Sequence, residues 1–226
     1  MKKLNFIIKC GLALLLLSFY SCESWLNVTP SDRLSEEMLF NDREGFVKAL
    51  NGVYIELNTN ELYGRNLTAG ALDVMGQYYS VASSSHAFYN YGGLVYTGND
   101  EKALFDNMWQ KCYAVIACCN TIIEKCDENK AGLSPVWRGS IKGEALALRA
   151  MLHFDMLRLF GPLTSELDKE SIPYQTNSDQ TVTPLLSGSE VVGLILDDLK
   201  NAVGLLKDTD PYFVEEDFSD TELNYR

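Results

Sequence analysis

Between Tyr78 and Tyr96, six of nineteen residues are aromatic (Tyr78, Tyr79, Phe88, Tyr89, Tyr91 and Tyr96), where the chain's 11% aromatic content predicts about two. Aromatic faces stack on the apolar faces of sugar rings, while neighbouring amides and hydroxyls bond the ring hydroxyls. Tyr78, Tyr79, His86, Phe88, Tyr89, Asn90 and Tyr91 are therefore the candidate ligand-binding residues, with Gln77 as a further polar neighbour. Alternate residues of an extended segment face one side, which favours Tyr89 and Tyr91 as a pair. The competing reading is that these tyrosines only anchor a long loop to its scaffold.

Other chemistry-bearing residues read as structural. Glu144, Arg149, Asp155 and Arg158 form a charged set in one helical stretch, and paired carboxylates suggest hydrolysis. Asp155 and Arg158 are i, i+3 neighbours, the arrangement of a helix ion pair, and no spacing places two carboxyls across a cleft. His153 sits beside the apolar stripe of the same helix, where a hydrogen-bonded packing role is expected. Trp109, Cys112, Ile116, Cys119, Ile123 and Cys126 recur at steps of 3, 4, 3, 4 and 3, a packed helix face. Cysteines two turns apart lie about 10 Å from one another, beyond disulfide reach and unable to close a metal tetrahedron alone. Buried free thiols follow, with a strained Cys118–Cys119 bridge as the minor alternative. Asp208, Asp210, Glu215, Glu216 and Asp217 lack the EF-hand order and read as solvated charge. Asn27-Val28-Thr29 and Asn66-Leu67-Thr68 match a glycosylation sequon but carry no functional weight. No P-loop, GxSxG or HExxH occurs, so no catalytic residue, cofactor or metal is expected.

The chain has 226 residues, 46% hydrophobic and 22% charged, enough to bury a core. Nineteen basic residues against thirty-one acidic give a net charge of −12, and no basic run appears, so nucleic acid is not an expected partner. Lys2, Lys3 and Lys9 precede the apolar run Cys10–Phe19, which is too short to span a bilayer. Residues 1–21 read as a signal peptide. Ser18-Phe19-Tyr20-Ser21-Cys22 resembles a bacterial lipobox, making Cys22 the lipidated first residue of the mature protein; ordinary secretory cleavage is the alternative. Several acyl chains hold such a protein permanently on a lipid bilayer. The processed chain keeps sixteen basic and thirty-one acidic residues, a net of −15.

Helices must position these groups. Residues 22–41 read as a tether, and 42–226 as one α-helical domain. Asp42 caps a helix over 42–58; Leu67–Tyr79 predicts a weaker one; Ser80–Gly98 is irregular; Asn99–Cys126 is a long helix. Ser134-Pro135 starts a second long helix ending at Gly161-Pro162, and the two should pack as an antiparallel hairpin. A proline-rich coil follows. Ser187 and Glu190 form a capping box for a helix whose stripe is Val192, Ile195, Leu199, Val203 and Leu206.

Cys22-Glu23-Ser24-Trp25-Leu26-Asn27-Val28-Thr29-Pro30, Phe40 and Ala49-Leu50-Asn51-Gly52-Val53-Tyr54 resemble the N-terminus of the SusD/RagB family of outer-membrane nutrient-binding lipoproteins. Trp109, Tyr113, Ile116, Asn120, Ile122 and Ile123 resemble its first long helix, and Gly143–Ala150 continuing through Phe154–Pro162 its best-known stretch. Ile172-Pro173-Tyr174 and Ile195–Leu206, with Asp198-Leu199, complete the order. The resemblance implies an all-α fold of TPR-like antiparallel helix pairs with long irregular loops, here an incomplete, N-terminal-half version, since family members are about twice as long. It further implies a non-catalytic, surface-exposed lipoprotein that binds an oligosaccharide or other nutrient and passes it to a SusC-like TonB-dependent outer-membrane transporter. An early loop of this kind contributes to the family's ligand site. The alternative is a scaffold fragment that docks on the transporter without a complete ligand site. Such a fragment is expected to leave apolar helix faces uncovered.

Overall fold

The computed structural model describes residues 36–179 and 181–210. The signal peptide, Cys22 and most of the tether lie outside the described residues, as do Glu215, Glu216 and Asp217 of the acidic end. The elements run α1 (Glu36–Leu39), α2 (Arg43–Leu57), α3 (Ala71–Met75), α4 (Tyr89–Gly92), α5 (Asn99–Glu128), α6 (Pro135–Phe160), a 3-10 turn at Thr164–Glu166, strands β1 (Glu170–Pro173) and β2 (Leu185–Ser187), and α7 (Gly188–Leu206). Contacts divide the chain into Met1–Glu37 and Met38–Arg226, and every element from α2 onward belongs to the second unit. Phe40, assigned to the tether by sequence, is buried edge-on against Phe46, so packing reaches into that segment.

Local sequence signals set the helix starts. Asp42 Oδ1 accepts from the Gly45 N–H at 2.9 Å, and Ser134 Oγ accepts from Trp137 with Pro135 opening α6. At α7 the capping box forms as expected, Ser187 and Glu190 satisfying each other's backbone N–H groups. Between α5 and α6 the chain turns through Asn129 and Gly132, both in the left-handed region, and the Asn129 side chain holds Leu133 from both sides. The expected weak helix over 67–79 shrinks to α3, because Gly70 and Gly76 flank it and Gln77 takes a positive φ of 61°. The proline-rich coil holds a missed element: β1 and β2 pair antiparallel, with Glu170 opposite Ser187 and Pro173 opposite Leu185.

The core is built on α5, α6 and α7, with Phe46, Leu50, Val53 and Leu57 of α2 packed into it. Lys142 bonds Asp127 and Arg149 bonds Asn120, so α5 and α6 run antiparallel as expected. On the other side of α6, Gly139 lies against Thr209, Gly143 against Leu206 and Ala202, and Arg149 against Asp198, making α7 antiparallel to α6. A Cβ on Gly143 would stand 2.8 Å from Leu206 Cγ, so the glycine permits this close approach. The α7 stripe departs from expectation. Its buried face is Val191, Ile195, Asp198 and Ala202, while Leu199 and Val203 are exposed, because a small residue and an ion-paired acid face α6 and β1. Along α5, Cys112, Cys119 and Cys126 are buried free thiols and Cys118 is exposed and free. Burial pushes the Cys119 and Cys126 thiols up to about 12, which leaves them unreactive as nucleophiles. No helix among the described residues is long and apolar enough to cross a membrane.

Candidate functional site

Gln77 begins the aromatic loop. Its left-handed backbone turns the chain out of α3, and its side-chain amide donates to the Gly92 carbonyl at 3.0 Å and to that of Val74 at 3.3 Å. The loop is thereby closed where it starts and where α4 ends. Tyr78 packs its ring beside Gly76, while His86 Nδ1 accepts from the Phe88 N–H at 3.1 Å.

The segment around Tyr89 and Tyr91 is not extended. It is the single turn α4, in which residues two apart point about 200° away from each other. The pair expected to share a side is therefore split: Tyr89 is 42% exposed and Tyr91 only 2%. Tyr91 packs against Phe88, Tyr96 and Phe105, at ring separations of 5.8, 6.3 and 6.0 Å. Ring contacts continue from Phe105 to Phe160, Trp109, Tyr113, His153 and Tyr174, so the loop rests on a continuous aromatic frame along α5. Burial, then the charges of Glu101 and Asp100, push the Tyr91 hydroxyl up to about 12.

Asn90 is also committed. Its Nδ2 donates at 2.7 Å to Oε1 of Glu101, a buried acid in the first turn of α5. Phe88 is half-buried, with the Arg65 guanidinium 6.0 Å from its ring centre. The seven candidates thus separate by position. Tyr78 (81% exposed), Tyr79 (52%), Tyr89 and the exposed His86 face solvent, whereas Tyr91, Asn90 and Phe88 hold the loop to the scaffold.

A second polar assembly, which the sequence reading did not bring together, fills the space between α5, α6 and α7. Arg149 bonds Asp198 through two parallel contacts of 2.7 Å and also donates to Asn120 Oδ1 at 2.8 Å. The Tyr174 hydroxyl donates to Asp198, and its ring stacks on His153 at 3.9 Å. Asn120, a lone amide within the apolar stripe of α5, was the available signal. The remaining motif acids have structural partners: Glu144 accepts from Tyr54, and Asp155 from both Tyr63 and Arg158. The i, i+3 pair expected at Asp155 and Arg158 is present, at 2.9 Å. Among the described residues, no group of three His, Cys, Asp or Glu is placed to hold a metal ion.

Residues 24–218 match the SusD-like family model described as starch-binding, associating with the outer membrane. The chain belongs to this SusD-like family. SusD-like protein P38 of Formosa agariphila is 27% identical over 199 residues, 80% of this chain and 34% of its own length. SusD-like protein P2 of the same organism is 26% identical over 166 residues, 71% of this chain and 30% of its own. The chain spans about a third of the length of the curated relatives it matches. A SusD-like carbohydrate binding protein from Bacteroides vulgatus superposes with a TM-score of 0.61 at 26% identity, covering 75% of this chain and 37% of that one. A SusD superfamily protein from Bacteroides thetaiotaomicron shares the fold, with a TM-score of 0.58 at 20% identity over 73% of this chain and 37% of its own. Among its described residues the SusD-like chain is mostly helical, 61% helix with one two-stranded sheet.

Proposed function

We propose that this SusD-like chain carries part of a glycan-binding surface on an outer-membrane lipoprotein, anchored through acylated Cys22, that hands its ligand to a SusC-like TonB-dependent transporter. The reading rests on the tyrosine loop: Tyr78, Tyr79 and Tyr89 present ring faces to solvent from a segment fixed by Tyr91 and Asn90. Flat aromatic surfaces on a loop already tied to its scaffold stack on sugar rings at a reduced entropic cost, because the backbone need not be ordered by the ligand. Family membership and the carbohydrate-binding description of the Bacteroides vulgatus relative support the same ligand class. The protein binds and transfers; it breaks no bond, and the acids that sequence might assign to hydrolysis are engaged with tyrosines and arginines.

Affinity electrophoresis through gels containing soluble starch or other neutral polysaccharides tests this. Alanine at Tyr78, Tyr79 or Tyr89 is expected to weaken retardation by about 1 kcal/mol each, roughly fivefold in Kd. Unchanged affinity in the triple variant, with an unaltered circular dichroism spectrum, removes the stacking role. Exposed Leu199 and Val203 on α7 favour the second reading, a scaffold that docks without a complete ligand site, which predicts no retardation by any polysaccharide.

A further inference from the structure

The chain after β1 hangs on the helices by polar contacts. Tyr113 donates to the Pro173 carbonyl at 2.9 Å, and Asn120 Nδ2 to the carbonyls of Gln175 and Asn177 at 3.1 and 2.8 Å. Arg149 reaches the Thr176 carbonyl, and Glu124 accepts from the Ser178 N–H and hydroxyl. Gln175 is the hub: its side chain donates to Asn177 Oδ1 and the Asp179 carbonyl and accepts from Thr183. The Gln175 backbone N–H is held by a single ring nitrogen, His153 Nε2, at 3.0 Å.

That bond fixes the protonation state of His153. Its Nδ1 lies 2.9 Å from the Arg149 carbonyl, which can only accept, so Nδ1 carries the hydrogen. Nε2 faces an N–H and must offer its lone pair. Only the neutral imidazole satisfies both partners. An added proton would set N–H against N–H in a fully buried position, beside the Arg149 guanidinium.

We propose that Tyr174–Asp179 is an acid-weakened latch, in which protonation of His153 removes the acceptor holding Gln175 and shifts the segment toward opening against its remaining bonds to Asn120, Glu124 and Asp198, while the helices remain folded. The groups packed around the ring do not offset the proton. Arg149 on α6 and Asp198 on α7 neutralise each other. Tyr174 is stacked on the ring, Tyr113 meets it edge-on from α5, and Cys112 is spent on the Leu152 carbonyl; burial pushes all three upward, so they stay neutral. Burial also lowers His153 from 6.5 to about 4. Between those values the open form takes up a proton that the latched form refuses, so the latched form is fully favoured above 6.5 and loses ground as pH falls. The opening equilibrium should rise about tenfold per pH unit across that window. The latch stands on its own geometry, whether or not the tyrosine loop binds a glycan.

Amide hydrogen exchange on the full chain, corrected for intrinsic rates, is followed from pH 7 to about 4.5. Protection at Gln175 is expected to fall about tenfold per pH unit while Leu152 in α6 keeps its protection. H153Q supplies an acceptor that does not titrate, and should abolish the pH dependence at Gln175. If that variant does not fold, the imidazole nitrogen shifts of the native protein decide. They should report the Nδ1–H tautomer at pH 7 and titration well below 6.5. The latch is overturned by pH-independent protection at Gln175, by parallel loss at Leu152, by pH dependence that survives in H153Q, or by His153 titrating at its ordinary value.

Discussion

Arg149 and Asp198 meet in the interior, with side chains 7% and 10% exposed, and each would be an uncompensated charge without the other. Removing one partner of a buried pair costs far more than the pair contributes, because the survivor stays desolvated. Asp198→Ala is therefore expected to lower unfolding free energy by about 3–5 kcal/mol, read from the urea midpoint at unchanged slope. The same change leaves the Tyr174 hydroxyl without its carboxylate, so the β1 end should lose protection first. Asp198 occupies the buried face of α7 where apolar periodicity expects a hydrocarbon side chain, so the expected stripe lies about one residue off the buried face: Ile195 is buried, Val192 and Leu206 are half-buried, and Leu199 and Val203 are exposed.

Helix packing turns on what each glycine faces. Gly143 on α6 admits Leu206 and the Ala202 carbonyl, whereas Gly193 on α7 has nothing within 4 Å of a would-be Cβ. Gly143→Val should therefore destabilise by about 1–3 kcal/mol through overpacking. Gly193→Ala should stabilise by about 0.5–1 kcal/mol, because it removes helix-opposing entropy at an open position. Thermal unfolding of both variants checks the sign. Sequence spacing found the caps at Asp42, Ser134 and Ser187, since a cap is a contact within four residues. It missed the β1–β2 pairing, whose partners lie far apart along a stretch that reads as proline-rich coil.

Across the whole molecule, the apolar surface is not fully covered. Leu196, Leu199 and Val203 on α7 and Met151 and Phe154 on α6 remain exposed. Contiguous apolar faces of this kind favour association. Replacing Leu199 with Lys and Val203 with Glu should change stability by less than about 0.5 kcal/mol each. The same pair should reduce binding of a hydrophobic dye and concentration-dependent light scattering. Scattering as strong as that of the unmodified chain would show that these side chains do not drive association.

By itself the sequence determined the helical class, the long α5–α6 hairpin, the free cysteines and the family, because each is written in spacing along a single element or in blocks of fixed order. It also located the aromatic loop. The tertiary structure alone decided which of its aromatics face solvent. One turn of helix at Tyr89–Gly92, held by Gln77 from one end and Glu101 from the other, buries Tyr91 and leaves Tyr89 outside. The polar assembly of Asn120, Arg149, His153, Tyr174 and Asp198 was likewise invisible, since its members come from α5, α6, the end of β1 and α7. Their partnership depends on inter-helix distance and direction, which no periodicity within one helix encodes.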